Sequence, residues 1–110
     1  MEHSNDYRIF NVTIHVANAE TGKAETLKGT VEFDRDPEQY GNGYSMYISK
    51  LGEPFGGQDY YIRYDKNFRN DHLMEYIVSF YANRFDGKKY EYGSNWKLLG
   101  IRVWERDEDF

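Results

Sequence analysis

The sequence predicts an α+β domain: a mostly antiparallel five-stranded sheet in the order β-β-β-β-α-β, with one helix packed on one face. Two observations predict this class. Five segments alternate apolar with polar residues, which is the pattern of half-buried strands. One segment, just before the last strand, repeats its apolar residues at helical spacing. A single antiparallel sheet crossed by a helix is the simplest arrangement that buries all of these apolar stripes.

The chain has 110 residues, which is the size of one ordinary domain. No repeat, low-complexity segment or linker divides it. We therefore expect a single domain over residues 1–110, with frayed ends at 1–6 and 106–110.

The first two strands are expected to form a hairpin. Apolar and polar residues alternate over residues 7–17, and the alternation resumes over residues 25–34. The apolar positions are Phe10, Val12, Ile14 and Val16 in the first run and Leu27, Val31 and Phe33 in the second. Thr21-Gly22 supplies a turn between the two runs.

Two shorter strands follow. Asp36-Pro37 ends the second strand, because proline has no N–H to donate to a ladder. A third strand is predicted over residues 44–48 and a fourth over residues 60–64, since both alternate. Between them, residues 52–57 form a loop of glycine and proline around Phe55.

The one helix is predicted from about residue 71 to residue 85. Asn70 or Asp71 caps its N-terminus by accepting a hydrogen bond from an orphan backbone N–H. Gly87 is expected in the left-handed conformation that often follows a helix end. The apolar face consists of Leu73, Ile77, Phe80, Tyr81 and Arg84, widened by Met74, Val78 and Phe85.

The last strand, over residues 96–105, carries apolar residues on both sides. Strict alternation puts Leu99, Ile101 and Val103 on one side and Trp96, Leu98 and Trp104 on the other. Such a strand is either central in the sheet or an edge that meets a partner. Only one side faces the helix, so the other needs the N-terminal segment, a folded-back loop or a second copy as cover. Our hypothesis is a homodimer through the face with Trp96 and Trp104.

Composition excludes several classes of protein. There is no cysteine, which excludes a disulfide framework, thiol catalysis and Cys-ligated zinc. No apolar run approaches the roughly 20 residues that span a bilayer. The N-terminus is polar and acidic, unlike that of a signal peptide. We expect a cytoplasmic protein that does not enter a membrane.

Charge bears on the partner. The chain has 14 Lys and Arg against 19 Asp and Glu, a net charge of −5. No segment is basic enough to indicate a phosphate-binding surface, so nucleic acid is not an expected partner. The acidic residues gather around positions 32–38 and 105–109. They form either a solvated surface or an acidic surface for a basic protein.

No catalytic constellation is visible. The histidines His3, His15 and His72 lack metal-ligand spacing. No serine lies in a nucleophile elbow, and the loop over residues 52–57 lacks the Lys-Ser/Thr ending of a phosphate-binding loop. We expect no enzymatic activity, no metal and no cofactor.

Tyrosines concentrate on the third and fourth strands. They form cross-strand pairs that stabilise the sheet, a stacking platform for bases, or a protein-binding face. The candidate binding residues from these and the other aromatic segments are Tyr47, Phe55, Tyr61, Arg63, Trp96 and Trp104.

Four segments, over residues 60–65, 75–81, 84–87 and 95–103, carry a resemblance. They look like small uncharacterised proteins encoded by phages and prophages of Gram-positive bacteria. None of the four contains a catalytic motif. The resemblance implies an accessory function through protein contacts, including the inhibition of host defence.

We therefore favour a non-enzymatic protein-interaction module, a phage or prophage accessory protein with a protein partner. One alternative is an acidic inhibitor of anti-CRISPR or anti-restriction type, which mimics nucleic acid at a host enzyme through carboxylates on a rigid sheet. The other is a small-molecule or nucleic-acid binding domain that uses the tyrosine-rich sheet face.

Overall fold

The structure is a computed structural model that describes residues 7–35, 44–49, 51, 60–64 and 72–106. The strands are β1 (Tyr7–Asn18), β2 (Ala24–Arg35), β3 (Tyr44–Ile48), β4 (Tyr60–Tyr64) and β5 (Trp96–Glu105). The helices in this part of the chain are α1 (Leu73–Asn83) and α2 (Glu91–Asn95). The α+β class is confirmed, while the short helix α2 was missed by the sequence prediction.

The strands join one antiparallel sheet in the order β4-β3-β2-β1-β5. The last strand of the chain thus lies beside the first. Among the described strands, β5 pairs with β1 alone. Of the two interpretations of its double apolar pattern, the structure selects the edge strand.

The hairpin of β1 and β2 is confirmed, together with its turn at Thr21-Gly22. Asn18 closes the turn, because its Oδ1 accepts the backbone N–H groups of Glu20 and Thr21 at 2.8 and 2.9 Å. Gly22 has a φ of +78°, a conformation that glycine adopts without a steric penalty.

The hydrophobic core lies between one face of the sheet and α1. The rings of Phe10 and Phe33 meet edge to face there, with centroids 6.0 Å apart. The predicted apolar stripes of the first three strands are confirmed, since their buried members are Phe10, Val12, Ile14, Val16, Leu27, Val31, Phe33, Met46 and Ile48. From α1 the buried residues are Leu73, Ile77 and Tyr81.

A β-bulge in β5 overturns the predicted division of its side chains. Gly100 lies opposite His15, and Leu98 lies opposite the next residue, Val16. Leu99 is therefore an extra residue in the register. One extra residue reverses the alternation of side chains between the two faces.

Apolar side chains before the bulge and apolar side chains after it therefore lie on the same face of the sheet, the face that packs on the core. This set consists of Trp96, Leu98, Ile101 and Val103. Trp104 lies on the other face, opposite Asn11, and is 40% exposed. The prediction that Trp96, Leu98 and Trp104 share one side was wrong, and with it the dimer face built from the two tryptophans.

The buried stripe of α1 is narrower than predicted. The helix begins at Leu73, after an N-cap residue, His72, whose side chain makes no capping hydrogen bond. Met74 and Val78 were assigned to the apolar face, yet they are 47% and 36% exposed. A helix that covers the sheet at one side buries only the residues directly over it.

The end of α1 differs from the expected left-handed cap. The backbone N–H of Arg84 donates to the carbonyl of Tyr81 at 3.1 Å, and the next two residues repeat this spacing. Such bonds satisfy the last carbonyls of a helix without a left-handed residue. Gly22 is the one glycine with positive φ in the described part of the chain, so the prediction for Gly87 was wrong.

Gly93 in α2 is required by a close approach of backbone. A Cβ at this position would overlap the carbonyl oxygen of Phe85 and the backbone nitrogen of Gly87. The segment after α1 therefore packs directly on α2, and the ring centroids of Phe85 and Tyr92 lie 5.9 Å apart.

Several predicted features fall outside the described residues: the caps at Asn70 and Asp71, the breaker Asp36-Pro37 and the N-terminal residues 1–6. Arg106 was placed in the frayed C-terminal end. Its backbone N–H donates to the carbonyl of Ile9 at 2.9 Å, so the ladder between β1 and β5 extends to it.

Candidate interaction surface at the sheet edge

The register brings two of the predicted binding residues together. Tyr47 of β3 is half-buried and lies opposite Tyr61 of β4. Arg63 lies opposite Ser45 in the same pair of strands. For Tyr61 and Arg63 the structure gives the backbone position alone, and Phe55 lies outside the described residues.

The edge of β5 points a row of backbone groups away from the sheet. The N–H of Arg106 donates to the carbonyl of Ile9, which places these two residues in a hydrogen-bonded pair. Hydrogen-bonded and non-hydrogen-bonded pairs alternate along antiparallel strands, so Trp104 and Arg102 also face β1. The residues whose N–H and C=O groups face away are Ile101, Val103 and Glu105.

No backbone hydrogen bond from another described residue reaches these three. A row of unpaired N–H and C=O groups is a template for pairing with a further strand. The bulge at Leu99 limits the regular part of this row to residues 101–105.

A groove with a volume of about 530 Å³ runs beside this edge, between α1 and β5. Met74, Glu75, Val78 and Ser79 line its helix side, and residues 101–104 line its strand side. Met74 and Val78 are the exposed apolar residues of its helix wall. The groove thus combines exposed apolar side chains with the outward backbone groups of β5.

Trp104 lies at the strand side of the groove, with Arg102 beside it. The guanidinium carbon of Arg102 is 5.2 Å from the centroid of the indole ring. Trp and Arg are the residue types that most often dominate binding energy at protein interfaces. Trp96 packs on the core instead, so the two predicted tryptophans do not form one site.

Arg8 fixes the end of β5 on β1. Its Nε donates to Oε2 of Glu105 at 2.8 Å, and its Nη2 donates to Oε1 at 2.7 Å. This hydrogen bonding, aided by the opposite charge and opposed by partial burial, lowers the pKa of Glu105 and raises the pKa of Arg8. Two parallel bonds hold the edge strand in a defined orientation.

The face of the sheet opposite α1, which we call the open face, carries polar side chains around Thr13. Lys28 and Arg102 are exposed there on either side of Thr13. His15 lies on the same face, and its Nδ1 is 3.2 Å from the hydroxyl of Thr26. This places His15 at the predicted polar side of its strand.

Two further findings concern the described residues alone. No three His, Cys, Asp or Glu side chains gather there as the ligands of a metal ion would. Neither α1 nor α2 has the length and apolar character needed to cross a membrane.

Comparison with known proteins gives no match: no family model, no curated protein and no solved structure matches this chain. The surface must therefore be interpreted from its own residues.

Sequence reasoning missed the most exposed part of this surface. Met74 and Val78 were assigned to the buried face of the helix, and Leu99, which is 56% exposed, was placed beside Ile101 and Val103. The exposure of Met74 and Val78 could have been inferred from the width of the predicted apolar face of the helix. That face is broader than the single stripe of residues that a helix buries against a sheet. The signal for the bulge was Gly100, since glycine inside a strand often marks a break in the register.

Proposed function

We propose that this chain is a non-enzymatic protein-interaction module that docks a second copy of itself along the edge of β5. The observation that carries the proposal is the row of outward backbone groups at Ile101, Val103 and Glu105. This row runs beside the exposed apolar side chains of Met74 and Val78. Strand addition at a sheet edge is a recurring mode of protein recognition.

In one antiparallel register between the two β5 strands, all three residues whose backbone groups face away from β1 form hydrogen bonds in both copies. If Val103 lies opposite Val103 of the second copy, Ile101 of each copy pairs with Glu105 of the other. The hydrogen-bonded positions of the two antiparallel strands then coincide. A two-fold axis through Val103 generates this pairing, and two-fold dimers are the commonest closed assembly.

On the open face, this register places side chains of favourable chemistry opposite each other. Arg102 of each copy lies opposite Trp104 of the other, at a non-hydrogen-bonded position where facing side chains are close. Arg102 already lies beside the indole of its own chain, so the dimer stacks alternating guanidinium and indole groups.

The position of α1 in each copy is consistent with the same two-fold axis. Ile101 and Val103 line the groove between α1 and β5, so an axis through Val103 passes beside the groove. The second copy brings its own Met74 and Val78 to this point. The two copies then cover each other's exposed apolar side chains, and the area removed from water favours association.

The acidic-mimic hypothesis draws less support from the described residues. Lys28, Arg102 and Arg106 are exposed on the open face, where a nucleic-acid mimic would present carboxylates. The link to phage and prophage proteins stays a prediction.

The proposal is tested by the molar mass in solution. Light scattering over a range of concentrations should give the wild type twice its monomer mass of 13.1 kDa, with dissociation on dilution. Val78→Lys places a charge in the groove and should yield a monomer. Asn83→Lys makes the same change in charge at an exposed position of α1 that does not line the groove, and should stay dimeric.

A second variant tests the backbone. Val103→Pro removes an N–H that faces away from β1, and proline is tolerated at such edge positions. It should keep the circular dichroism spectrum of the wild type while losing the dimer. A wild type that stays monomeric at every concentration overturns the proposal, as does a Val103→Pro protein that is folded and still dimeric.

A further inference from the structure

The sheet assembles a cationic patch that no segment of the sequence shows. Thr13 of β1 lies opposite Lys28 of β2 and opposite Arg102 of β5, so the two cations flank it. Arg106 adds a third, because its Nη2 donates to Oδ1 of Asn11 at 3.0 Å on the same face. All three cationic side chains are exposed.

Trp104 lies inside this patch. It is opposite Asn11, in the row next to the one that holds Thr13. Adjacent rows on one face of a sheet are about 7 Å apart and neighbouring strands about 4.8 Å apart. The exposed indole is therefore within one or two side-chain lengths of the three cations.

Two carboxylates, Glu32 and Asp34, lie at the Tyr7 end of the open face. Glu32 lies opposite Ile9, in the same row as Arg106, and accepts a hydrogen bond from the hydroxyl of Tyr7 at 2.8 Å. The rows of Asn11 and Thr13 hold no carboxylate among the described residues of β1, β2 and β5. A chain with a net charge of −5 thus carries a local excess of positive charge. The expectation against nucleic acid rested on the absence of basic runs, whereas the cations of this patch come from β2, from β5 and from Arg106, which follows β5.

We propose that this patch binds single-stranded nucleic acid, with Lys28, Arg102 and Arg106 on phosphates and a base stacked on Trp104. Cations beside an exposed aromatic ring are the combination that binds single strands without sequence preference. The bases of a duplex are stacked on one another, so only an unpaired strand offers a base to the indole. The patch shares Arg102 and Trp104 with the proposed dimer contact, whereas Lys28, which lies on β2, is outside that contact.

The experiment uses a fluorescein-labelled oligothymidine of about 15 nucleotides, a length within the range of single-strand sites. Fluorescence anisotropy at about 50 mM salt should show binding that weakens as salt rises. Three phosphate contacts predict a slope of about −2 in a plot of log K against log salt concentration. Trp104→Ala should weaken binding by about fivefold or more, the loss of one stacked base.

A matched pair of variants separates the patch from overall charge. Lys28→Glu and Lys88→Glu change the net charge equally, and both lysines are exposed, but Lys88 follows α1 and is not on the open face. Lys28→Glu should weaken binding several-fold while Lys88→Glu leaves it nearly unchanged. Equal losses in the two variants, no binding by the wild type, or a duplex bound as tightly as the single strand would each overturn the proposal.

Discussion

Arg8 and Glu105, which are 97 positions apart in the chain, form an ion pair of two hydrogen bonds at 2.8 and 2.7 Å. The pair joins the first strand to the last at the end of the edge. It lies beside Phe10, whose ring centroid is 5.3 Å from the guanidinium carbon of Arg8. The edge strand is therefore held at its C-terminal end as well as by its backbone ladder.

We predict that this pair makes stability depend on pH in the acid range. The pKa of Glu105 is lowered in the folded state, so its contribution is present above the ordinary glutamate pKa of 4.5 and is lost as the pH falls through the lower, folded value. Both side chains are partly exposed, so the contribution is less than about 1 kcal/mol.

The measurement compares the free energy of unfolding of the wild type with that of Glu105→Gln. The difference should be constant at neutral pH, shrink below pH 4.5 and shrink further in high salt. Arg8→Gln should give the same profile, because either change breaks the pair. A difference that does not change with pH would contradict this account.

The bulge predicts that the two tryptophans differ in solvent access. In dilute, monomeric Trp96→Phe the remaining indole is Trp104, which should emit at longer wavelength and be quenched more strongly by acrylamide. In Trp104→Phe the remaining indole is Trp96, which packs on the core and should be protected. Equal quenching in the two variants would mean that the alternation in β5 is not reversed.

The buried face of a strand could be predicted from the sequence wherever apolar and polar residues alternate strictly along that strand. Phe10, Val12 and Ile14 repeat with period two, and that repeat specifies which face is buried. The bulge in β5 was not predictable in the same way, because one extra residue leaves apolar residues on both apparent sides. The identity of Leu99 as the extra residue follows from the pairing of Gly100 with His15 and of Leu98 with Val16, which only the sheet shows.

We predict that Gly93 tolerates no side chain. Gly93→Ala should lower the free energy of unfolding by about 1–3 kcal/mol, since the new methyl group would overlap backbone atoms of Phe85 and Gly87. Gly100→Ala is the control, because no heavy atom lies within 4 Å of a Cβ built there. Its effect should stay within about 0.5 kcal/mol. Urea denaturation of the two variants gives both values, and an equal effect would contradict the packing of the segment after α1 on α2.

The core position of α1 gives a further prediction. Ile77 is buried against the sheet, so Ile77→Ala should cost about 2–5 kcal/mol. Phe80 is only partly buried, with the guanidinium of Arg84 over its ring at 4.4 Å, so Phe80→Ala should cost less than Ile77→Ala. Asn83→Ala, at an exposed position of the same helix, is the control in denaturant unfolding. The reverse order of the two costs would show that the helix is rotated.

The interaction surface was less predictable than the fold. Its components come from α1 and β5, and only their packing shows that Val78 and Val103 line the same groove. The cationic patch was unpredictable for the same reason. Lys28 and Arg102 are far apart in sequence and are close in the sheet only because both lie opposite Thr13. Sequence patterns give the residues of each element, whereas the neighbours of an edge depend on strand order.

Amide hydrogen exchange, measured residue by residue at high and low protein concentration, tests the proposed use of the β5 edge most directly. The N–H groups of Arg102 and Trp104 face β1 and should be protected at both concentrations. Those of Ile101, Val103 and Glu105 face away from the sheet, so they should exchange rapidly in dilute protein and become protected when a second copy pairs with them. Rapid exchange of these three at a concentration where light scattering shows a dimer would contradict the account, because the dimer would then use another surface.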